Sequence, residues 1–112
     1  MGVLMATKQP DNSPLRSEFS DDPDMAELVI EYVDKMPQRV HQMQTAFENS
    51  QREQLIRIVH QLKGSGGGYG FPQLTSVADH LEQRLLGIAD QDLNAVDAEF
   101  RALIELCGRM AA

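Results

Sequence analysis

Residues 52–70 read REQLIRIVHQLKGSGGGYG, a helical pattern that runs into five glycines within its last seven positions. Leu55, Ile58, Val59 and Leu62 follow one another at steps of one, three or four residues, which predicts a single buried helix face. A glycine inside a helix costs about 0.8–1.0 kcal/mol relative to alanine. The glycine run therefore lowers the stability of the helix, and either packing or a functional requirement must explain why glycine is present.

The same helical period continues on both sides of this stretch. Asp22 is predicted to cap a first helix that starts at Pro23, and Pro37 should kink that helix or split it in two. Gly70 is suited to end the second helix and Pro72 to begin the third. The predicted apolar stripes are Met25, Leu28, Val29, Tyr32, Met36, Val40, Met43 and Phe47 in the first helix; Leu74, Val77, Ala78, Leu81 and Leu85 in the third; and Leu93, Val96, Phe100, Leu103, Ile104 and Cys107 in the fourth.

Helix starts and turn residues indicate the fold class. Ser50 with Glu53 three residues later forms a predicted capping box for the second helix, and Asp90 or Asp92 begins the fourth. Sustained period-two alternation is absent from the sequence, so no strands are predicted. These features indicate an all-α fold, an antiparallel four-helix bundle of the up-and-down kind with a short N-terminal helix or extended segment before it. We expect residues 1–13 to be a flexible N-terminal segment and residues 14–112 to form the bundle domain.

Composition excludes several classes of protein. The chain has 112 residues, a formal net charge of −7 and one cysteine. The acidic balance argues against a nucleic-acid-binding protein, which usually has a basic face. Cys107 alone allows neither an intramolecular disulfide nor a Cys-based zinc finger. No apolar run reaches the roughly 18 residues that span a bilayer, and the first ten residues lack a signal-peptide pattern. We expect a cytoplasmic protein that binds neither membrane nor nucleic acid.

His60 is the candidate reactive residue. On a helix, residues three, four and seven positions later share its face, and these are Lys63, Gly64 and Gly67. The apolar stripe lies elsewhere, so the imidazole is predicted at the surface. A neutral imidazole is a nucleophile, an ammonium pairs with phosphate oxygens, and glycine lets a phosphoryl group or a partner's backbone approach. This arrangement indicates a phosphorylatable histidine, with the glycines keeping the approach open.

The segment HQLKGSGGGYGFPQLTSVADHLEQRL, residues 60–85, resembles the signature of the histidine-containing phosphotransfer (HPt) domain family. That signature is His-x-Leu-Lys-Gly, a run of small residues, a glycine and a distal Leu-Glu. The resemblance spans about residues 14–107. The matching positions are His60, Leu62, Lys63, Gly64, Gly70, Leu74, Ala78, Leu81 and Glu82.

The resemblance implies a role for each residue of the candidate site. His60 would accept the phosphoryl group, Lys63 would stabilise it, Gly64 would keep access open, and Glu82 would orient the imidazole by bonding its other nitrogen. It also implies a phosphocarrier without an ATP site rather than an enzyme. Its expected partners are response-regulator receiver domains and a sensor or hybrid histidine kinase, and the resemblance implies that the chain works as a monomer. No cofactor is implied for this chain, because the Mg²⁺ belongs to the receiver.

Residues that flank the histidine face are predicted partner contacts. Ile56, Gly67 and Phe71 would form an apolar collar, with burial as the competing explanation for Phe71, and Arg57 would add positive charge. His41 and His80 are interpreted as solvated side chains. Since the three histidines lie on three predicted helices without a spaced motif, no metal site is predicted.

Two other functions remain open at this point. The dimerisation and phosphoacceptor part of a sensor histidine kinase also places a histidine on a helical bundle, but there an acidic residue typically follows it, where this chain has Gln61. A structural helical adaptor with a vestigial site is the other alternative. The sequence names neither the cognate kinase and receiver nor the signal.

Overall fold

The computed structural model describes residues 13–112, so all but the last residue of the predicted flexible segment 1–13 lies outside the described part of the chain. Two 3-10 turns, Gly67–Tyr69 and Asp90–Val96, and a pair of very short strands accompany the helices. The elements are β1 (Leu15–Arg16), α1 (Ala26–Asp34), α2 (Met36–Glu48), α3 (Arg52–Gly66), α4 (Pro72–Leu86), α5 (Asp97–Arg109) and β2 (Met110–Ala111).

The helices pack around one core. Helix α2 lies against α3, α3 against α4, α4 against α5, and α5 returns to α2, with the α3–α4 contact the most extensive. Leu55, Leu62, Leu81 and Leu103 are completely buried where these faces meet. The prediction of a mainly helical bundle is confirmed, and its antiparallel up-and-down order stays a prediction. None of the described helices is long and apolar enough to cross a bilayer.

The first predicted helix is two helices in the structure. Pro37 has no N–H to donate within a continuous helix, so α1 ends at Asp34 and α2 restarts with the proline in its first turn. Of the two alternatives predicted for Pro37, the split is the one observed. Helix α1 has only nine residues, and its buried face consists of Val29 and Tyr32.

The start of this helix and one of its core positions were predicted wrongly. Helix α1 begins at Ala26 rather than at Pro23. The Asp22 carboxylate accepts the Asp24 N–H at 2.9 Å, as expected of a cap, and the Asp22 carbonyl accepts the Ala26 N–H at 2.9 Å. Residues 23–25 nevertheless form a turn that leads into the helix instead of its first turn. Leu28, predicted to be buried, is 46% exposed. It lies about 100° around the helix from Val29, outside the narrow face that this short helix buries.

The predicted capping box at Ser50 is also wrong. Ser50 adopts a left-handed φ of 56°, and its N–H donates to the Phe47 carbonyl at 3.2 Å. The Gln51 N–H donates to the Ala46 carbonyl at 2.8 Å, so both residues close the end of α2. Gln51 is the residue before α3, and no side chain caps that helix. Ser50 therefore ends one helix instead of starting the next.

Two short strands replace the predicted absence of strands. β1 pairs with β2 in parallel, Leu15 opposite Met110 and Arg16 opposite Ala111. A two-residue strand is too short to show alternation, so the sequence gives no signal for it. The segment before α1 is thus the extended alternative of the prediction.

The last helix starts later than predicted. A 3-10 turn over Asp90–Val96 contains non-helical backbone at Asp92, and α5 begins only at Asp97. The predicted stripe nevertheless faces the core: Leu93, Val96, Phe100, Leu103 and Cys107 are buried.

Candidate functional site

His60 lies on the outer face of α3. The helical repeat of α3 buries Ile58, Val59 and Leu62, and the His60 side chain, directed away from them, is 65% exposed. The core packing of α3 therefore presents the imidazole to solvent on a rigid helix rather than on a loop.

Glu82 on α4 holds one side of this ring. Its Oε2 lies 2.7 Å from His60 Nδ1, and the residue is only 7% exposed. A carboxylate can only accept, so Nδ1 carries the hydrogen and donates it. The tautomer assigned by this bond leaves the lone pair on Nε2. The geometry gives a ring fixed in one orientation with a free nucleophilic nitrogen.

Lys63 completes the cluster and brings a carboxylate that the sequence reasoning missed. Its Nζ donates to Glu82 Oε1 at 3.1 Å and lies 3.1 Å from Asp79 Oδ1. Asp79 and Glu82 are three residues apart on α4, as His60 and Lys63 are on α3, so the two helices present facing pairs. The spacing of Asp79 from Glu82 on one helix face was the signal that could have identified it.

The charges of the cluster support one another. Burial raises the pKa of the Glu82 carboxyl, but the hydrogen bonds from Lys63 and His60 outweigh burial and hold this pKa below its ordinary value. The Asp79 and Glu82 carboxylates raise the pKa of Lys63. The hydrogen bond from Lys63 lowers the pKa of Asp79. One ammonium therefore stands between two ionised carboxylates beside the imidazole.

Three of the five glycines after His60 leave open surface. A Cβ added at Gly64 or at Gly68 would meet no atom within 4 Å, and one at Gly67 would make only an ordinary contact with Thr75 Oγ1 at 3.6 Å. Gly64 and Gly67 are exposed. The packing of the described residues does not require glycine at any of these three positions.

The other two glycines are required by the fold. A Cβ at Gly66 would lie 2.9 Å from Thr75 Oγ1 and 3.1 Å from Leu74 Cβ, so glycine lets α3 and α4 approach closely. Gly70 has a φ of 89°, and a Cβ there would meet Ser17 Oγ and lie 2.8 Å from the Glu18 amide nitrogen.

Two hydroxyls that sequence reasoning missed hold the end of α3 and the turn. Thr75 Oγ1 donates to the Lys63 carbonyl at 3.0 Å and accepts the Gly67 N–H at 2.8 Å. Ser17 Oγ, in the N-terminal segment, donates to the Tyr69 carbonyl at 2.6 Å. These bonds satisfy backbone groups at the helix end, which lacks intrahelical partners. The part of the glycine run that follows α3, residues 67–70, is therefore a turn held by hydrogen bonds.

The predicted partner contacts divide into three at the surface and one in the core. Gly67 and Arg57 are exposed and Ile56 is half-buried. Phe71 is fully buried, and its ring stacks on that of Tyr32 with the centroids 6.2 Å apart. Its prediction as a partner contact is wrong, because the left-handed turn at Gly70 directs the next residue inward. An open concavity beside the imidazole is lined by Glu53, Ile56, Arg57, His60, Gln61 and Glu82.

No hydrogen bond or ion pair joins either of the other histidines to His60, Lys63, Asp79 or Glu82. His41 is exposed on α2, and His80 Nε2 lies 4.0 Å from Glu99 Oε2 on the side of α4 that faces α5. Among residues 13–112, no three His, Cys, Asp or Glu side chains are grouped as ligands for a metal ion. Burial raises the pKa of the Cys107 thiol to about 12.

One of three comparisons with known proteins gives a match. The family model described as the Hpt domain matches residues 27–112, which include all but the first residue of α1, the whole of α2 to α5 and every residue of the His60 cluster. A search of curated proteins and a search of solved structures returned no match.

Proposed function

The chain belongs to the Hpt domain family, and we propose that it carries a phosphoryl group on Nε2 of His60 between aspartates of response-regulator receiver domains. Hpt domains are phosphocarrier modules of phosphorelay signalling. The observation that carries the assignment to His60 is the 2.7 Å bond from Nδ1 to Glu82 on a ring whose side chain is 65% exposed.

The transfer step follows from this geometry. The Nε2 lone pair attacks the phosphorus of a receiver's aspartyl phosphate, the N–P bond forms, and the P–O bond to the aspartate breaks with its electron pair returning to the carboxylate. The ring becomes a phosphorylated imidazolium, whose positive charge Glu82 stabilises through the Nδ1–H bond. Transfer to the next receiver reverses these changes. We take the Mg²⁺ of the reaction to lie in the receiver.

A docking surface for the receiver surrounds the imidazole. Gly64, Gly67 and Gly68 follow His60 and have no side chain that would keep a partner away from the imidazole. In-line transfer requires the partner's phosphoryl group to come within about 3–3.5 Å of Nε2, so a low surface at this point favours catalysis by positioning.

Unpaired cations lie at the edge of this surface. Among the described lysines and arginines, Lys35, Arg39 and Arg57 form no ion pair with a carboxylate, whereas most others do. Lys35 and Arg39 line a concavity that shares Gln61 with the one containing His60 and Arg57. On an acidic chain, these positive charges complement the acidic phosphorylation pocket expected of a receiver.

Labelling tests the proposal. A phosphorylated receiver should transfer an acid-labile, base-stable phosphate to the wild-type chain, and His60→Gln should abolish the label. His41→Gln and His80→Gln, matched changes at the other two histidines, should label like the wild type. Equal labelling of His60→Gln and wild type would overturn the proposal. Sedimentation of the same samples should show a monomer, and a dimer would favour the sensor-kinase alternative.

A further inference from the structure

We propose that Asp79 is a positioning residue that acts through Lys63 and lowers the stability of the phosphoryl group on His60. The inference rests on the proposed function of His60 and concerns how long this site retains its phosphoryl group. Asp79 lies 3.1 Å from Lys63 Nζ, and no hydrogen bond or ion pair joins it to the imidazole.

The contacts distinguish the two carboxylates that hold Lys63. Glu82 is buried and uses one oxygen for His60 and the other for Lys63. Asp79 is half exposed, with 48% of its side chain accessible, and its bond to Lys63 adds nothing to the orientation of the ring. Orientation of the imidazole is therefore complete without Asp79. What Asp79 supplies is a second negative charge on the one ammonium of the cluster.

Phosphorylation changes the balance of charge around Lys63. A phosphoryl group carries on the order of 1.5–2 negative charges and needs a cation nearby. The ammonium can face the phosphoryl oxygens only by weakening its contacts with Asp79 and Glu82. Asp79 opposes this movement by holding the ammonium at 3.1 Å. This contact disfavours the phosphorylated form, so Asp79 favours passing the phosphoryl group on.

The size of the effect follows from exposure. A partly exposed ion pair such as Asp79–Lys63, weakened by solvent, changes an equilibrium by roughly three- to fivefold at the upper end of the range for such pairs. We therefore expect Asp79→Asn, which keeps the shape and removes the charge, to lengthen the lifetime of the phosphohistidine about three- to fivefold. Asp79→Glu should restore the wild-type lifetime.

The experiment uses phosphoramidate as a small phosphoryl donor, so that no receiver is needed. The phosphorylated chain is freed of donor, and the loss of the phosphohistidine signal is followed by phosphorus NMR. The same substitution is made with Lys63→Ala, where its effect should shrink to less than about twofold. Asp97→Asn, which removes the charge of an ion-paired aspartate on α5, is the matched control and should leave the lifetime unchanged.

Each outcome decides between the two hypotheses. An unchanged or shorter lifetime for Asp79→Asn, with wild type labelled on His60, overturns the inference and leaves the proposed function in place. A full three- to fivefold effect that persists with Lys63→Ala overturns the role of Lys63 as intermediary. Failure of the wild type to be phosphorylated on His60 overturns both. Thermal unfolding of Asp79→Asn matching that of the wild type excludes a general loss of structure.

Discussion

Gly64 and Gly70 lie six residues apart in one glycine run, and the structure requires only one of them. Gly70 has a left-handed φ of 89° and faces backbone atoms of the N-terminal segment. Gly64 continues the face of α3 that carries His60, and an added Cβ would meet no atom there. The comparison shows that glycines in one run can have two different roles. Some are required by the backbone conformation, and others leave the surface free of side chains. The space around each Cβ position separates them.

The largest expected effect is that of replacing the fold-required member of this pair. Gly70→Ala should lower the free energy of unfolding by about 3 kcal/mol, because a left-handed alanine is strained and its Cβ would overlap the N-terminal segment. Urea unfolding measures the loss. Gly68→Ala, in the same run but with open space at its Cβ, is the matched control and should change stability little. Equal losses for the two variants would erase the distinction.

Gly66 tests the same comparison through packing instead of backbone conformation. Gly66→Ala should destabilise the fold by about 2 kcal/mol, because its Cβ would crowd Thr75 and Leu74 at 2.9–3.1 Å. Gly67→Ala, one position on and with a nearest contact of 3.6 Å, should be close to neutral in the same unfolding measurement. A neutral Gly66→Ala would mean that α4 moves aside without cost.

Gly64 should show the opposite pattern, with function changed and stability kept. Gly64→Leu should preserve or slightly raise stability, since leucine has the higher helix propensity. Its labelling by a phosphorylated receiver should slow about tenfold, equivalent to about 1.4 kcal/mol in the transition state, because the side chain would keep the partner away from Nε2.

Two controls sharpen the Gly64 prediction. Labelling of Gly64→Leu by phosphoramidate should slow less than labelling by the receiver, because the small donor needs less room. Gly108→Leu on α5, another site where a Cβ meets no atom, should leave both rates unchanged. Receiver labelling of Gly64→Leu at the wild-type rate would remove the access role of this glycine.

The smallest expected effect on stability is at Ser50, a serine in a backbone conformation that glycine usually adopts. Ser50 has a φ of 56°, a left-handed conformation that strains a serine and that glycine adopts without strain. Glycine also adds entropy to the unfolded chain, which lowers stability, but this loss is smaller than the strain that is relieved. Ser50→Gly should therefore raise stability by about 0.5–1 kcal/mol in urea unfolding. Ser50→Ala, which keeps the strain, should give no gain. A gain of the same size for alanine would point to the serine hydroxyl instead of the backbone.

The sequence predicts the helices better than their ends. Apolar spacing depends on burial, which is a property of the whole helix, so the stripes around Leu62, Leu81 and Leu103 could be located. Caps depend on single hydrogen bonds with local competitors. Asp22 caps a turn that precedes the first helix, and Ser50 closes the end of the preceding helix, so both predicted helix starts were wrong.

The part of the site that lies on one helix could be predicted, because helical spacing shows which residues of a helix are close together. His60, Lys63 and Gly64 share a face of one helix, so their proximity follows from the sequence alone. Contacts across helices depend on register and approach, which spacing does not reveal. For this reason Asp79, Thr75 and Ser17 were missed, and Phe71 was listed as a partner contact with burial as the competing explanation, which is the one observed.

Ser17 has a practical consequence for work on the isolated domain. The family match begins at residue 27. Before it, the Ser17 hydroxyl donates to the Tyr69 carbonyl, and the Glu18 backbone N–H donates to the Gly70 carbonyl at 2.8 Å. A protein trimmed to the matched region would keep the whole His60 cluster. It would lose Ser17 and Glu18, which hold the glycine turn beside that cluster. The segment that contacts the glycine turn therefore begins at least ten residues before the region matched by the family model.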